Sequence, residues 1–359
     1  MRRGLLLSIW LVGLVLYGQA TWSINQVVSF VKSSVQLHQP DKQVAGVLRK
    51  AKLSQRLEER VIVELEAQGA GPQTVAALRE LAAASKDLPA PPLPASKTAA
   101  PVGPPPPSTE QQQDLLDRVR QYALNYVRSL PDFICTQVTR RYVDPTGMEF
   151  WQSQDVLTAK LTYFEQKEDY KLMLVNGVMT DKPYLDVGGA TSTGEFGSMM
   201  REIFEKQTEA TFRWARWATL RGKLTHVFNY HVDQAHSQWR IEYEKTERVI
   251  PAYHGLIYVD ASNAQIVRIT LTAENIPPTF PVQEASTILD FDYVKIADRV
   301  YLLPLKAVVR MRHGKFLVKN EVEFRMYRKY SAEATITFDT PAPLPEDKTT
   351  EQPPTPNLK

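Results

Sequence analysis

The densest chemistry in the sequence lies in a short segment that mixes aromatic rings with basic side chains. Residues 212–223 read FRWARWATLRGK, so rings and guanidinium groups follow one another closely. Rings can hold an apolar tail, and guanidinium groups can pair with an anionic head. The segment therefore indicates the rim of a lipid site, with Phe212, Trp214 and Arg216 as its members. The alternative is an ordinary strand with rings inside and charges outside.

Histidine spacing argues against a metal site. His226, His231 and His236 lie close together in the chain. His226 and His231 are five residues apart, so a regular strand places them on opposite faces. His226 shares its face with Phe228 and Tyr230, which predicts a hydrogen-bonded core histidine. No metal site and no cofactor are predicted.

Common catalytic motifs are not recognisable in this sequence. It contains no H-E-x-x-H, G-x-S-x-G or G-x-x-x-x-G-K-[ST] motif. Asp290 and Asp292 share a strand face, but they alternate with apolar residues and are expected to be solvated. The single Cys135 follows strand alternation and is expected to be a buried, inert thiol. No catalytic residue is predicted, and the chain is not expected to be an enzyme.

Antiparallel strands must position these side chains. Apolar positions recur with a period of two in residues 316–326 and 303–311, and His313-Gly314 forms the turn between them. Similar runs begin at Phe133 and continue through the chain. Long strands coil with the twist of their sheet. The pattern predicts an α+β fold: a large curved antiparallel sheet, an unclosed β-barrel of ten or more strands, with a covering helix and a small separate helical bundle before it.

One amphipathic helix is expected to cover the apolar face of this sheet. Ser108 and Gln111 form a capping box, and the apolar stripe that follows ends at Leu130-Pro131. The hollow between helix and sheet could hold an apolar ligand. Its expected lining residues, besides the rim, are Tyr126, Leu289, Phe291 and Phe324.

Composition divides the chain into five regions. Residues 1–20 have a basic start, an apolar run and small residues before a cleavage site, which predicts a signal peptide. A helical bundle over 21–86, a proline-rich linker over 87–108, the half-barrel over 109–340 and a disordered proline-rich tail over 341–359 follow. The expected location is periplasmic or secreted, and the alternative is an inner-membrane anchor formed by an uncleaved N-terminal segment.

Nucleic acid is not an expected partner. Residues 69–78, GAGPQTVAAL, resemble the turn of a helix-hairpin-helix motif, whose backbone amides cradle a DNA phosphate. No basic cluster accompanies them, and the formal net charge of the chain is only +3. A helix end followed by a proline at the next helix start explains the same residues.

The order of elements after residue 108 resembles the periplasmic lipoprotein-carrier half-barrel of the LolA/LolB type. Residues 255–269, GLIYVDASNAQIVRI, are similar to the central hairpin of that group, where a strand ends in an acidic residue before a short turn. The resemblance covers roughly residues 109–339 and carries no motif from which binding residues can be transferred. It implies an unclosed barrel that binds acyl chains or other apolar ligands.

The sequence predicts two alternative functions. The first is an exported, non-enzymatic protein that holds a lipid or another apolar ligand in a half-open β-barrel. The second is an interaction or scaffold protein of the cell envelope, whose barrel is packed by its own side chains. In that case residues 21–86 would dock a partner protein.

Overall fold

The computed structural model describes residues 21–36, 39–67, 69–89, 104–188, 196–244, 246–330 and 340–354. The predicted signal peptide and most of the proline-rich linker lie outside these residues. The chain divides into two compact units, residues 1–96 and 97–359. Among the helices described, none combines the length and the hydropathy that crossing a membrane requires.

In the described residues of the first unit, four helices share an apolar core. They are α1 (Ile24–Gln36), α2 (Asp41–Leu48), α3 (Glu59–Ala67) and α4 (Pro72–Ala84). Proline stands at the first position of α4, as the sequence predicts, because that position needs no amide donor. Helix α3 begins at Glu59.

Two α-helices and the strands are present in the described part of the second unit. Helix α5 spans Thr109–Ser129 and α6 spans Ser198–Phe204. The predicted capping box is present: Ser108 Oγ accepts from the Gln111 amide, and Gln111 Oε1 accepts from the Ser108 amide. The strands are β1 (Phe133–Asp144), β2 (Gln152–Phe164), β3 (Lys167–Val175), β4 (Val178–Met179), β5 (Thr211–Leu220), β6 (Lys223–Val232), β7 (Ile241–Tyr243), β8 (Glu247–Val249), β9 (Ala252–Asp260), β10 (Ile266–Glu274), β11 (Val282–Ile296), β12 (Arg299–His313), β13 (Phe316–Lys329) and β14 (Glu351–Gln352).

Twelve of these strands form one open antiparallel sheet. Their order is β14-β5-β6-β9-β10-β11-β12-β13-β1-β2-β3-β4, while β7 and β8 form a separate two-stranded sheet. The turn between β12 and β13 lies where the sequence predicts it, with His313 opposite Phe316 and a positive φ at Gly314. The predicted α+β fold, an unclosed sheet of ten or more strands with a covering helix, is confirmed.

One face of the sheet packs against α5 and α6, and we call it the helix-covered face. The helices contribute seven buried residues to the same core cluster as the strands: Leu115, Val119, Ala123, Tyr126, Met200, Ile203 and Phe204. Since successive side chains of a strand point to opposite faces, the residues between the core positions reach the other side. That other side carries charged residues, and the C-terminal segment lies against it. We call it the tail-covered face.

Candidate functional site

The four residues predicted to line the hollow lie in the packed interior. Tyr126, Leu289, Phe291 and Phe324 are each no more than 2% exposed. The ring centroids of Tyr126 and Phe291 are 6.0 Å apart in an edge-to-face contact, and the Tyr126 hydroxyl donates to the Leu302 carbonyl at 2.8 Å. These residues therefore share one core, and protein side chains occupy the space around them.

Phe212 and Trp214 of the predicted rim lie on the same helix-covered face but are only half-buried. The Phe212 ring stacks on Phe204 of α6 with centroids 5.0 Å apart. Trp214 meets Trp217 edge-to-face at 6.1 Å, and its Nε1 is buried without a hydrogen-bond partner among the described residues. The two predicted rim rings thus mark the margin of the apolar core.

Arg216, the third predicted rim residue, lies on the opposite face of β5. Trp214 pairs with Phe228 of β6, whereas Arg216 pairs with the adjacent Val227, because a β-bulge separates the two β5 residues. Neighbouring residues of β6 point to opposite faces, so the same holds for their partners. The structure therefore does not bring Arg216 to the rim with Phe212 and Trp214, and plain alternation along the sequence could not reveal the bulge.

Trp217 lies on the helix-covered face, where it contacts His226 and a proline-rich segment. The ring centroids of Trp217 and His226 are 4.0 Å apart. The Trp217 Nε1 donates to the Pro105 carbonyl at 3.2 Å. Gln112 of α5 donates from Nε2 to the Pro107 carbonyl at 2.8 Å. The end of the predicted linker thus lies against β5 and α5.

His226 differs from the hydrogen-bonded core histidine that its position predicts. Its side chain is half-buried, and its Nδ1 has no hydrogen-bond partner among the described residues. Burial lowers the pKa of His226 to about 4, and the positive charge of Arg118 adds to that effect. The ring is therefore neutral near pH 7 and packs against Trp217 as an uncharged partner.

Arginines on the tail-covered face hold the C-terminal segment through its backbone. Arg221 donates to the Lys348 carbonyl at 3.2 Å, and Arg268 donates to the Thr349 carbonyl. Arg140 donates to the Pro341 carbonyl at 2.6 Å. Arg216 bonds both carboxylate oxygens of Glu351, at 2.7 and 2.8 Å. Four arginines therefore bind the C-terminal segment between Pro341 and Glu351, which includes a 3-10 turn at Glu346–Lys348.

The predicted disorder of the tail differs from the structure over residues 341–354. This segment includes strand β14, in which Glu351 pairs with Leu220 of β5. Pro353 and Pro354 follow, and proline cannot donate to a sheet ladder. Because the arginines recognise carbonyl oxygens, which every residue carries, the composition of the tail gave no sign of this binding. Residues 355–359 lie outside the described residues.

Asp290 is buried in the structure, whereas the sequence predicts that it is solvated. Its side chain is 3% exposed, and its oxygens accept from Nε and Nη2 of Arg268, both at 2.9 Å. Arg221 Nη1 lies 3.2 Å from the same carboxylate. Asp292, the other member of the predicted pair, is 35% exposed. The tail covers this ion pair, and local sequence alternation could not predict such a cover.

Cys135 and the histidines offer no reactive centre in the described part of the chain. Cys135 is 1% exposed, and burial raises the pKa of its thiol, as expected of an inert residue. His231 and His254 both contact Glu274, at 3.0 and 2.7 Å. Within the described ranges, no group of three or more His, Cys, Asp or Glu side chains is arranged to hold a metal ion.

The start of α4, where the helix-hairpin-helix resemblance would place a phosphate, already holds a carboxylate. Asp41 accepts from the Gln73 and Thr74 amides, each at 2.8 Å, and from the Thr74 hydroxyl at 2.6 Å. Burial alone would raise the pKa of Asp41, but these hydrogen bonds lower it. A side chain at Gly71 would meet this carboxylate at 2.4 Å. The turn is thus bonded within the chain.

A cavity of about 300 Å³ lies at the end of the β11–β12 hairpin, away from every residue predicted to bind a ligand. Its wall combines two arginines with two glutamates, so its formal charges balance. The lining residues are Glu149, Trp151, Thr272, Ala273, Glu284, Ala285, Ser286, Arg310, Met311, Arg312 and Leu317.

Neither a protein-family model nor a curated protein matches this chain. Several solved structures do match it. A LolA superfamily protein from Nitrosomonas europaea matches with 8% identity and a TM-score of 0.28, over 61% of this chain and 93% of that one. A putative outer membrane lipoprotein-sorting protein domain from Vibrio parahaemolyticus matches with 10% identity and a TM-score of 0.29, over 62% and 93%.

A DUF1329 family protein from Desulfovibrio piger also matches, with 10% identity and a TM-score of 0.28, over 66% of this chain and 96% of that one. The resemblance to the lipoprotein-carrier group is confirmed at the level of pattern. With TM-scores below 0.5, the likeness carries no inference about a ligand or a partner.

Proposed function

We propose that this chain is an exported, non-enzymatic binding protein of the cell envelope that acts through protein contacts. The observation that carries the proposal is the burial of Tyr126, Leu289, Phe291 and Phe324, each at most 2% exposed within one core. A half-barrel whose lining residues already contact its own helices has its apolar face satisfied without a ligand. The surface of the half-barrel is then the part that is available for binding.

Strand β5 supports this proposal because it holds extended chain on both of its faces. Trp217 binds the carbonyl of Pro105 on one face, and Arg216 binds Glu351 on the other. The first of these segments is a run of prolines, and the second carries the short strand β14. The second unit is therefore built to bind extended polypeptide, here supplied by its own chain.

The helical bundle is the part proposed to dock a partner protein. It forms its own compact unit, and its core includes Val27, Leu48, Ile62 and Leu78, each fully buried. Val63 of α3 is 53% exposed, which leaves an apolar side chain free for an intermolecular contact.

An apolar ligand is the second candidate, and one observation favours it. Phe212 and Trp214 are half-buried at the margin of the helix-covered face, and the indole Nε1 of Trp214 is buried without a partner in the described chain. A lipid that entered beside α6 would contact both rings and could supply an acceptor for the indole. Such a ligand would have to separate α6 from Phe212.

Cross-linking in the native host distinguishes the two candidates. The full chain is compared with a variant that lacks residues 21–89 and with the substitution Val63→Asp. We expect the full chain to capture a defined protein that the deletion does not capture, with Val63→Asp reducing the yield. Equal capture by the deletion variant, or recovery of lipid without any protein, would count against the first candidate.

A further inference from the structure

We propose that Trp214, Trp217, His226 and Gln112 form a binding site for polyproline segments. The chain's own residues Pro104–Pro107 are its resident ligand, and an extended proline-rich segment of a partner protein can take their place. The proposal deepens the proposed function, because it names the kind of segment that β5 binds.

The resident segment has the burial pattern of a polyproline II helix. Pro104 and Pro107 are half-buried, whereas Pro105 and Pro106 are exposed. A polyproline II helix has three residues per turn, so the first and fourth residues share one face. Four consecutive prolines are confined to this conformation by their rings. The segment therefore presents one face to the protein and the other to solvent.

The site satisfies the backbone of that segment with two side-chain donors. Trp217 Nε1 donates to the Pro105 carbonyl at 3.2 Å, and Gln112 Nε2 donates to the Pro107 carbonyl at 2.8 Å. A polyproline II helix has no internal hydrogen bonds, so its carbonyls remain available to such donors. Aromatic-lined grooves are a recurring way in which proteins bind proline-rich segments.

The ring of Trp217 is in contact with neighbouring rings as well as with the resident segment. The ring of Trp217 lies between His226, at 4.0 Å, and Trp214, at 6.1 Å between centroids. The β-bulge after Trp214 brings both indoles to one face of β5. A ring held in this way loses little conformational entropy on binding, and so does a proline-rich ligand.

A tethered resident ligand competes with any external one. Since Pro107 lies two residues before α5, its effective concentration at the site is in the range of about millimolar or above. An external segment is therefore expected to bind weakly to the native chain and more tightly once the resident prolines are changed. This difference is the measurable consequence of the proposal.

The test is a titration of the full chain with a synthetic peptide of residues 102–108, VGPPPPS, followed by isothermal titration calorimetry. Two vacated variants are used: one with all four residues Pro104–Pro107 changed to serine, and a milder one that combines Pro104→Ala with Pro107→Ala. The milder variant keeps the backbone and removes the two half-buried rings, so the test does not depend on the fourfold variant folding. Trp217→Phe is then added to each, with Trp151→Phe as the matched control.

We expect the peptide to bind a vacated variant at least tenfold more tightly than the native chain, and Trp217→Phe to weaken that binding at least fivefold. Trp151→Phe should leave it unchanged. Equal binding to native and vacated chains, no binding to a folded vacated variant, or equal effects of the two tryptophan substitutions would overturn the site. Failure here leaves the capture of a partner through residues 21–89 untouched, so the two proposals fail separately.

Discussion

At the scale of single residues, position on a face decides the role of each charged or aromatic side chain. Trp214 and Arg216 are two residues apart, yet one borders the apolar core and the other binds the tail. The sequence identified residues 212–223 as the unusual segment. It could not assign these residues to the two faces of β5, because nothing in the residue types marks the bulge.

The pKa of His226 makes this site sensitive to acid. Its folded value of about 4 lies below the ordinary 6.5, so the native state takes up fewer protons than the unfolded chain in this range. The stability contribution is therefore complete above pH 6.5 and decreases as the pH falls toward 4. Urea unfolding followed by tryptophan fluorescence at pH 7, 5 and 4 measures it. We expect His226→Gln to remove this part of the pH dependence, and identical profiles for the two proteins would contradict the assignment.

The buried pair of Arg268 and Asp290 should be far more sensitive to substitution than its exposed neighbour. Asp290→Asn leaves Arg268 without its carboxylate, and breaking a buried pair on one side costs about 3–5 kcal/mol. Asp292→Asn is the matched control on the same strand face and should change stability by about 1 kcal/mol or less. Urea unfolding at pH 7 measures both, and similar losses for the two variants would show that the tail does not protect the pair.

At the scale of elements, the parts that the sequence predicted are those encoded by local patterns. The capping box fixed the start of α5, and Gly314 marked the turn between β12 and β13. Contacts made by extended segments were missed, since carbonyl groups and prolines carry no periodic signal. The predicted linker end at 104–107 and the predicted disordered tail both proved to lie against strands.

Removing the tail should destabilise the second unit. A chain that ends at Thr340 loses the carbonyls bound by Arg140, Arg221 and Arg268, together with Glu351. Hydrogen bonds to charged groups contribute about 1.5–3 kcal/mol each when they are buried, so we expect a loss of about 3 kcal/mol or more. Thermal unfolding measures it, with a chain that ends at Pro354 as control. An unchanged Tm in the shorter chain would mean that the tail is not a structural part of the sheet.

The cap on α4 should contribute to the bundle in a pH-dependent way. Asp41→Ala removes the acceptor of the Gln73 and Thr74 amides, and losing such a cap costs about 1 kcal/mol. The pKa of Asp41 is lowered, so its contribution is present above the ordinary value of 3.8 and is lost as the pH falls through the folded value. Urea unfolding at pH 7 and pH 3 compares Asp41→Ala with the exposed Asp87→Ala. A difference between these variants that is as large at pH 3 as at pH 7 would contradict this origin.

At the scale of the whole molecule, the sequence predicted an antiparallel half-barrel with a covering helix, and the structure confirms it. Whether the hollow is open could not be predicted, because it depends on how closely α5 and α6 approach residues from distant strands. Tyr126 and Leu302, for example, are joined by a hydrogen bond across 176 positions of the chain. A periodic pattern identifies an apolar face but does not say which atoms cover it.

Native mass spectrometry of the full chain purified from its own host tests whether protein side chains alone fill the helix-covered face. We expect the mass of the polypeptide alone, because the side chains of α5, α6 and the sheet already fill the apolar face. A stoichiometric added mass that organic extraction removes and identifies as lipid would contradict it, and would assign the helix-covered face to ligand binding.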